Sequence, residues 1–328
     1  MCYHLIVPAP GKPIRSATAM SAALWVAVTG SSACGPAQDS AAIETPTVAP
    51  PAIEVTSDGR AGGVRHSVPI GENDEQAQRC FATVRTRQEQ TQDAAGWCAA
   101  GGPAACEAAC RAGQLTACSD LATAMAAKLG DAACATKLWQ LACDRDGLQS
   151  CTRLAQQLTA DRASPPVTAR AQALLEKSCN GGWGAGCTAL GQFYLPGGAG
   201  RLAPEQAVKA LEKGCDRGHA EGCALAGDQL TNSATASDRK RGVQRQEQAC
   251  SLGHAPSCVS FATALSFGTV VPRDPQRAAQ ILGQLCQLGG TDDDGKACAL
   301  LAMQQQAANG GHSSPQVEAL LARACDQG

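Results

Sequence analysis

The chain has 328 residues, a near-balanced charge of −2 (27 Lys and Arg against 29 Asp and Glu), and only 3% aromatic residues. The balance excludes the basic footprint of a nucleic-acid binder and the polybasic signal of a membrane-surface protein. The scarcity of aromatic side chains disfavours a β-sandwich, whereas abundant alanine with scattered leucine favours closely packed helices.

Nineteen cysteines are far too many for a reduced cytosolic enzyme and point to an oxidising compartment. The N-terminus agrees. Lys12 and Arg15 precede an apolar run from Ala17 to Thr29 that holds Leu24, Trp25, Val26 and Val28, followed by the small residues Gly30 to Ala33. Residues 1–33 therefore read as a secretory signal, too short for a spanning helix. Ser31-Ser32-Ala33-Cys34 further resembles a bacterial lipobox, with Cys34 as the lipidated residue, although Ser31 stands where leucine is usual. Plain export is the other reading, and a cytosolic chain with an unusual start is the third.

Residues 34–72 are rich in Pro, Ala and Thr, as in Thr45-Pro46-Thr47-Val48-Ala49-Pro50-Pro51. No helical or alternating period survives there, so the segment reads as a disordered, partly extended tether. Helical pattern starts near Asn73, giving a repeat domain over 73–328 that is irregular to about residue 104.

From there a unit recurs. Cys110 with Cys118, Cys143 with Cys151, Cys179 with Cys187, Cys215 with Cys223 and Cys250 with Cys258 are each eight positions apart, and Cys286 with Cys298 carries four extra residues around Asp292-Asp293-Asp294. First cysteines of successive units step by 33 to 36 residues, the period of stacked helix hairpins. Trp139, Leu175, Leu211, Leu282 and Leu321 lie four residues before a first cysteine; Leu121, Leu154, Leu190, Phe261 and Leu301 lie three after a second. Gly182, Gly218, Gly253 and Gly289 hold the turn between, with Gly147 shifted by one. Asp274-Pro275 and Ser314-Pro315 mark helix starts. The expected architecture is all-α, a solenoid of helix hairpins.

In each unit the first cysteine would end one helix and the second begin the next, so a disulfide pins the hairpin at its turn. Closing such a loop contributes about 2.5 kcal/mol in the chain-entropy model, which offsets a core poor in large side chains. A zinc reading is weaker: only Cys106 and Cys110 stand at ligand spacing, with no second half to match. Cys80, Cys98, Cys106, Cys134 and Cys325 are left unassigned. Cys98 and Cys106 have the repeat spacing, but Cys106 also holds the apolar position of its own unit. Cys325 matches a first cysteine whose partner would lie past Gly328, so either the array ends in a half-unit cap or the sequence is incomplete.

Ala210-Leu211-Glu212-Lys213-Gly214-Cys215, Gly218-His219-Ala220 and Gly222-Cys223 resemble Sel1-like repeats, relatives of the tetratricopeptide repeat. More narrowly they resemble the Helicobacter cysteine-rich protein family. The resemblance runs from roughly Ala105 to the C-terminus, and it implies disulfide-linked α/α repeats. It also implies an enzymatic alternative, a weak β-lactamase or penicillin-binding hydrolase. That chemistry on a serine scaffold needs Ser-x-x-Lys with Ser-Asp-Asn and Lys-Thr-Gly elements. Here Ser237-Asp238-Arg239-Lys240 is a lone match, with Asp238 expected at an N-cap and Ser237 just outside the helix. No catalytic residue is assigned.

His219 and His254 share one turn position in neighbouring units. Hairpins stacked at about 10 Å put them too far apart for a shared metal, so a capping or polarising role is expected. Asp292-Asp293-Asp294 lacks the alternating spacing of a calcium loop and reads as a solvated insertion. Trp139 falls in the core register, whereas Trp183 falls in a turn, where it is a candidate binding residue. No cofactor or metal is expected. The expected function is a scaffold, exported to the periplasm, outer membrane or extracellular space, that binds a protein or peptide, or a peptidoglycan-derived component, in a concave groove. The membrane is reached only through a lipid anchor, and nucleic acid is not a partner.

Overall fold

In the computed structural model, residues 70–71, 74–86, 102–160, 164–288 and 292–327 are described. The expected signal segment, Cys34, Cys98 and the tether as far as residue 69 lie outside them; at the tether's expected end Ile70 is buried and its N–H donates to Arg111 O at 3.0 Å. Among the described residues there are fourteen α-helices and no strand. They are α1 (Glu75–Thr86), α2 (Gly102–Arg111), α3 (Leu115–Leu129), α4 (Ala132–Asp144), α5 (Leu148–Thr159), α6 (Pro165–Asn180) and α7 (Gly184–Tyr194). The series continues with α8 (Pro204–Asp216), α9 (Ala220–Thr231), α10 (Ala236–Ser251), α11 (Ala255–Phe267), α12 (Pro275–Leu288), α13 (Asp292–Ala308) and α14 (Pro315–Gln327). None is long and apolar enough to cross a membrane.

These helices divide into two compact units, one holding α1 to α10 with α11 as far as Ala264, the other holding Leu265–Gly268 and α12 to α14. The larger is a stack of helix hairpins, and the smaller is one hairpin followed by α14. In the larger unit the hairpins are α2/α3, α4/α5, α6/α7, α8/α9 and α10/α11, closed by Cys110–Cys118, Cys143–Cys151, Cys179–Cys187, Cys215–Cys223 and Cys250–Cys258. In the smaller unit Cys286–Cys298 joins α12 to α13. The five bonds of the larger unit tie the last turn of a first helix to the first turn of its partner, whereas Cys298 lies in the second turn of α13. The register explains why: the cysteine is the last core-facing residue before the chain reverses, and Cys110, Cys151, Cys187, Cys215, Cys223 and Cys298 are completely buried.

The turn itself is a Schellman motif. In α8, Gly218 N–H donates to Cys215 O at 2.9 Å and His219 N–H to Gly214 O at 3.1 Å. Gly218 has φ +77°, and Gly113, Gly182 and Gly253 repeat that left-handed conformation. In the α4/α5 turn the left-handed residue is Asp146, at φ +65°, and not the glycine beside it. Gly147 instead packs so tightly that a Cβ on it would meet Ala142 O at 2.7 Å.

The core is the apolar register. Leu121, Trp139, Leu154, Leu175, Leu211, Phe261, Leu282 and Leu301 are all buried, whereas Leu190 and Leu321 are only half-buried. Trp139 also crosses between hairpins: its indole N–H donates to Ser119 O at 3.2 Å. Small residues let helices approach. A Cβ at Gly242 of α10 would meet Thr231 N at 2.6 Å and Gly227 O at 2.9 Å.

Two cysteines left unassigned by spacing find each other: Cys80 of α1 and Cys134 of α4 form a disulfide across 54 residues. Lys137 with Asp74, and Arg111 with Gln78, anchor the same helix to α4 and α2. Cys106 is also disulfide-bonded.

Two local expectations are corrected. Asp292-Asp293-Asp294 is not a solvated loop; it forms the first turn of α13, where carboxylates favour the positive end of the helix dipole. Asp293 pairs with Lys296 at 2.9 Å and Asp294 is buried. At the start of α10 the N-cap is Thr235, not Asp238. Thr235 Oγ1 accepts from Asp238 N at 3.1 Å while donating to Asp238 Oδ2 at 2.8 Å, and Ser233 Oγ accepts from Thr235 N at 3.3 Å, so the threonine hydroxyl is the cap. Ser237 consequently lies inside the helix.

Candidate binding groove

The second helices of the larger unit, α3, α5, α7 and α9, lie side by side, each touching the next, and approach one another more closely than the first helices do. A groove of about 200 Å³ opens on this layer along α5 and α7 and at the N-terminal end of α9. From α5 come Gln149, Thr152, Arg153 and Gln156; from α7 and its N-cap come Trp183, Ala185, Thr188, Ala189 and Gln192; from α9 and its N-cap come His219 and Glu221. All belong to one compact unit.

The turn chemistry places two of these side chains. Trp183 and His219 each stand four residues after a first cysteine, as the N-cap of the second helix. Trp183 N–H donates to Ser178 O at 3.2 Å and its carbonyl accepts from Cys187 N at 3.1 Å. The backbone is thus fixed on both sides and stapled by the adjacent disulfide. The ring that projects from it is 38% exposed. Its indole N–H has no hydrogen-bond partner among the described residues.

The His219 side chain makes no capping hydrogen bond to its own helix. Its Nδ1 is 2.9 Å from Thr188 Oγ1 of the preceding hairpin. Gly214 makes that contact possible, since a Cβ there would lie 2.5 Å from the same hydroxyl. One interface earlier a side chain does fill the place, and Ser178 Oγ sits 2.7 Å from Thr152 Oγ1. Burial pushes the His219 imidazole below its ordinary value of 6.5, against a smaller upward pull from Glu221. His254, in the same position of the next unit, turns inward to its own helix, with Nδ1 accepting from Ser257 N at 3.3 Å. The two imidazoles serve different partners. Among the described residues no group of three or more His, Cys, Asp or Glu is placed to hold a metal ion.

The groove keeps unspent polar capacity. Arg153 is exposed, and its contact is Gln156 Oε1 at 3.5 Å, so most of its five donors face solvent. Gln192 Nε2 donates to Glu221 Oε1 at 2.8 Å, and Gln149 Nε2 to Asp120 Oδ1 at 3.2 Å. The amide oxygens of both glutamines stay available.

A second concavity, of about 460 Å³, lies over α8 and α10 with Gln229 and Leu230 of α9 at its floor. Three of its charged groups are mutually engaged, whereas Glu205 and Lys209 are exposed. Glu212 is held by Arg241 at 3.2 Å and Arg245 at 3.3 Å, and Asp238 by Ser233, Thr235 and Arg241. The smaller groove is the stronger candidate because, of the two, it alone sets an exposed aromatic ring, Trp183, beside an exposed cation, Arg153.

Ser237 and Lys240 are both exposed in the first turns of α10, and no hydrogen bond joins them among the described residues. Neither lies in the groove. The convergence of Arg153, Trp183 and Glu221 was not visible in the sequence, because 30 or more residues separate each from the next. The shared turn position of Trp183 and His219 was the one available signal.

No protein-family model matches the sequence, and no curated protein matches it. Solved structures do. A Sel1 repeat protein from Oxalobacter formigenes superposes with a TM-score of 0.54 at 17% identity, covering 64% of this chain and 85% of that one. A protective antigen of uropathogenic Escherichia coli strains displaying an SLR fold gives 0.54 at 17% identity, covering 74% of this chain. The chain spans about half of that antigen's length, 52%. Helicobacter pylori cysteine rich protein B matches at 22% identity over 39% of this chain and 92% of its own, with a TM-score of 0.31. The fold of this chain is the Sel1-like repeat fold, an α-solenoid with a disulfide closing each hairpin.

Proposed function

We propose that this chain is a non-catalytic scaffold that binds a protein or peptide segment in the groove across α5, α7 and α9. Repeat arrays present extended surfaces suited to extended partners. The observation that carries the reading is the convergence of the half-exposed Trp183 ring with the exposed Arg153 on a disulfide-held layer. Amide side chains offer both a donor and an acceptor, the same pair a peptide group offers. About 200 Å³ is below the usual 300–1,000 Å³ of a small-molecule site; it suits one anchoring side chain of a longer ligand. The disulfides hold the turns that carry Trp183 and His219, which lowers the ordering cost of binding.

We further propose that the protein works at a bacterial envelope. Seven disulfides among the described residues suit an oxidising compartment. In this reading residues 1–33 direct export, Cys34 carries a lipid, and residues 34–72 hold the repeats away from the membrane.

Selection of a displayed random-peptide library on the oxidised protein tests the binding role. Selected peptides should move the Trp183 indole N–H resonance, and Trp183→Ala should weaken them about 30-fold, as loss of an aromatic hot spot does. Peptides that bind Trp183→Ala as tightly as the wild type would contradict the assignment, as would a library that yields no binders.

A further inference from the structure

The two ends of the groove carry opposite charges, and neither is neutralised by the other. Arg153 stands on α5, and Glu221 on α9, with Trp183 and Thr188 of the α6/α7 hairpin between them. Both charged side chains are exposed. Arg153 reaches only an amide oxygen, at 3.5 Å. Glu221 spends one carboxylate oxygen on Gln192 Nε2 and keeps the other. Asp120 stands on α3 outside the groove lining, where Gln149 Nε2 engages it.

From these positions we infer that the groove reads charge order: it takes an extended peptide with an acidic side chain at the α5 end and a basic one at the α9 end. The inference rests on the peptide-binding reading above and adds the partner's chemistry to it. The spacing follows from the stack. Neighbouring helices lie about 8–10 Å apart, so α5 and α9, separated by α7, are about 16–20 Å apart. An extended chain advances about 3.3 Å per residue, so the two charges stand about five or six residues apart. Between them an apolar side chain or a proline rests against Trp183, whose indole N–H meets a backbone carbonyl. Both charges are exposed and adaptable, so each contributes a modest factor while the pair fixes polarity.

The test uses the oxidised full chain and peptides of this length, blocked at both termini, with a central alanine-proline segment. Their ends are Asp and Lys in either order, Asp at both, or Lys at both. Binding is followed through the Trp183 indole resonance. The wild type should favour mixed-charge peptides over like-charge ones by about tenfold, two surface pairings of about threefold each. Arg153→Glu should favour the peptide with lysine at both ends, and Glu221→Lys the one with aspartate at both. Both substitutions are at exposed positions, and unchanged helicity and thermal midpoints would show that each variant folds. Binding that falls in Trp183→Ala yet ignores the end charges would overturn the charge-order inference and leave the peptide groove standing. Peptides that never perturb Trp183 would overturn both.

Discussion

His219, at the head of α9, reaches across the hairpin interface so that its Nδ1 lies 2.9 Å from Thr188 Oγ1 of α7. This contact joins two neighbouring hairpins at the groove, where burial disfavours the charged form of the imidazole. In the folded protein the imidazole protonates below its unfolded value of 6.5. Stability linked to His219 is therefore complete above about pH 6.5 and declines as the pH falls through the folded value, because the unfolded chain binds the proton first. In His219→Gln that part of the decline should vanish, so the wild type and variant midpoints should converge as pH falls. A gap between them that stays constant from pH 7 downwards would show that His219 does not titrate on unfolding.

Asp146 holds a left-handed conformation, φ +65°, that glycine occupies in the other hairpin turns. Replacing it with glycine relieves backbone strain but loses an exposed ion pair with Lys177 at 3.0 Å. Relief of about 1 kcal/mol outweighs an exposed pair of about 0.5 kcal/mol. Asp146→Gly should thus raise stability slightly, readable as a higher denaturant midpoint. A lower midpoint would mean that the ion pair dominates.

The same alanine substitution should have opposite signs at two glycines. At Gly242 a Cβ would press into the backbone at Thr231 N and Gly227 O, costing about 1–3 kcal/mol. At Gly283, inside α12, the nearest atom is Leu301 Cδ2 at 3.8 Å, so alanine should gain about 0.5–1 kcal/mol of helix propensity. Thermal unfolding of the two variants under oxidising conditions measures both.

These sites mark where the sequence was legible and where it was not. Spacing of eight, a glycine three residues after the first cysteine and an apolar register all repeat, so the hairpins and their local bonds could be read directly. Gly147 misled because a glycine needed for close packing stands beside Asp146, and composition alone does not distinguish the two needs. Thr235 is hard to read as the N-cap from sequence because Asp238, three residues on, is itself a favoured capping residue. Cys80 and Cys134 belong to no period, since their bond ties an irregular leading helix to the array. The groove is the least legible feature. Its residues come from successive hairpins, and only stacking brings them to one face.

The Cys80–Cys134 bond closes a far longer loop than any hairpin disulfide, 54 residues against 8. In the chain-entropy model it contributes about 4 kcal/mol, compared with about 2.5 kcal/mol for a hairpin bond. Cys80→Ala with Cys134→Ala should therefore lower the thermal midpoint more than Cys215→Ala with Cys223→Ala. It should also expose α1 first, seen as faster amide exchange at Phe81 and Val84, both buried in the folded protein. Equal midpoints in the two double variants would contradict the ordering.

The binding role, the oxidising compartment and the fixed placement of Trp183 all depend on hairpins sealed one by one. Mapping the disulfides of the protein isolated without reductant, by proteolysis and mass spectrometry, measures this directly. The expected result is peptides linked through Cys179–Cys187 and Cys215–Cys223, together with one joining Cys80 to Cys134. Finding these cysteines reduced, or Cys179 and Cys187 linked to Cys215 and Cys223, would contradict it.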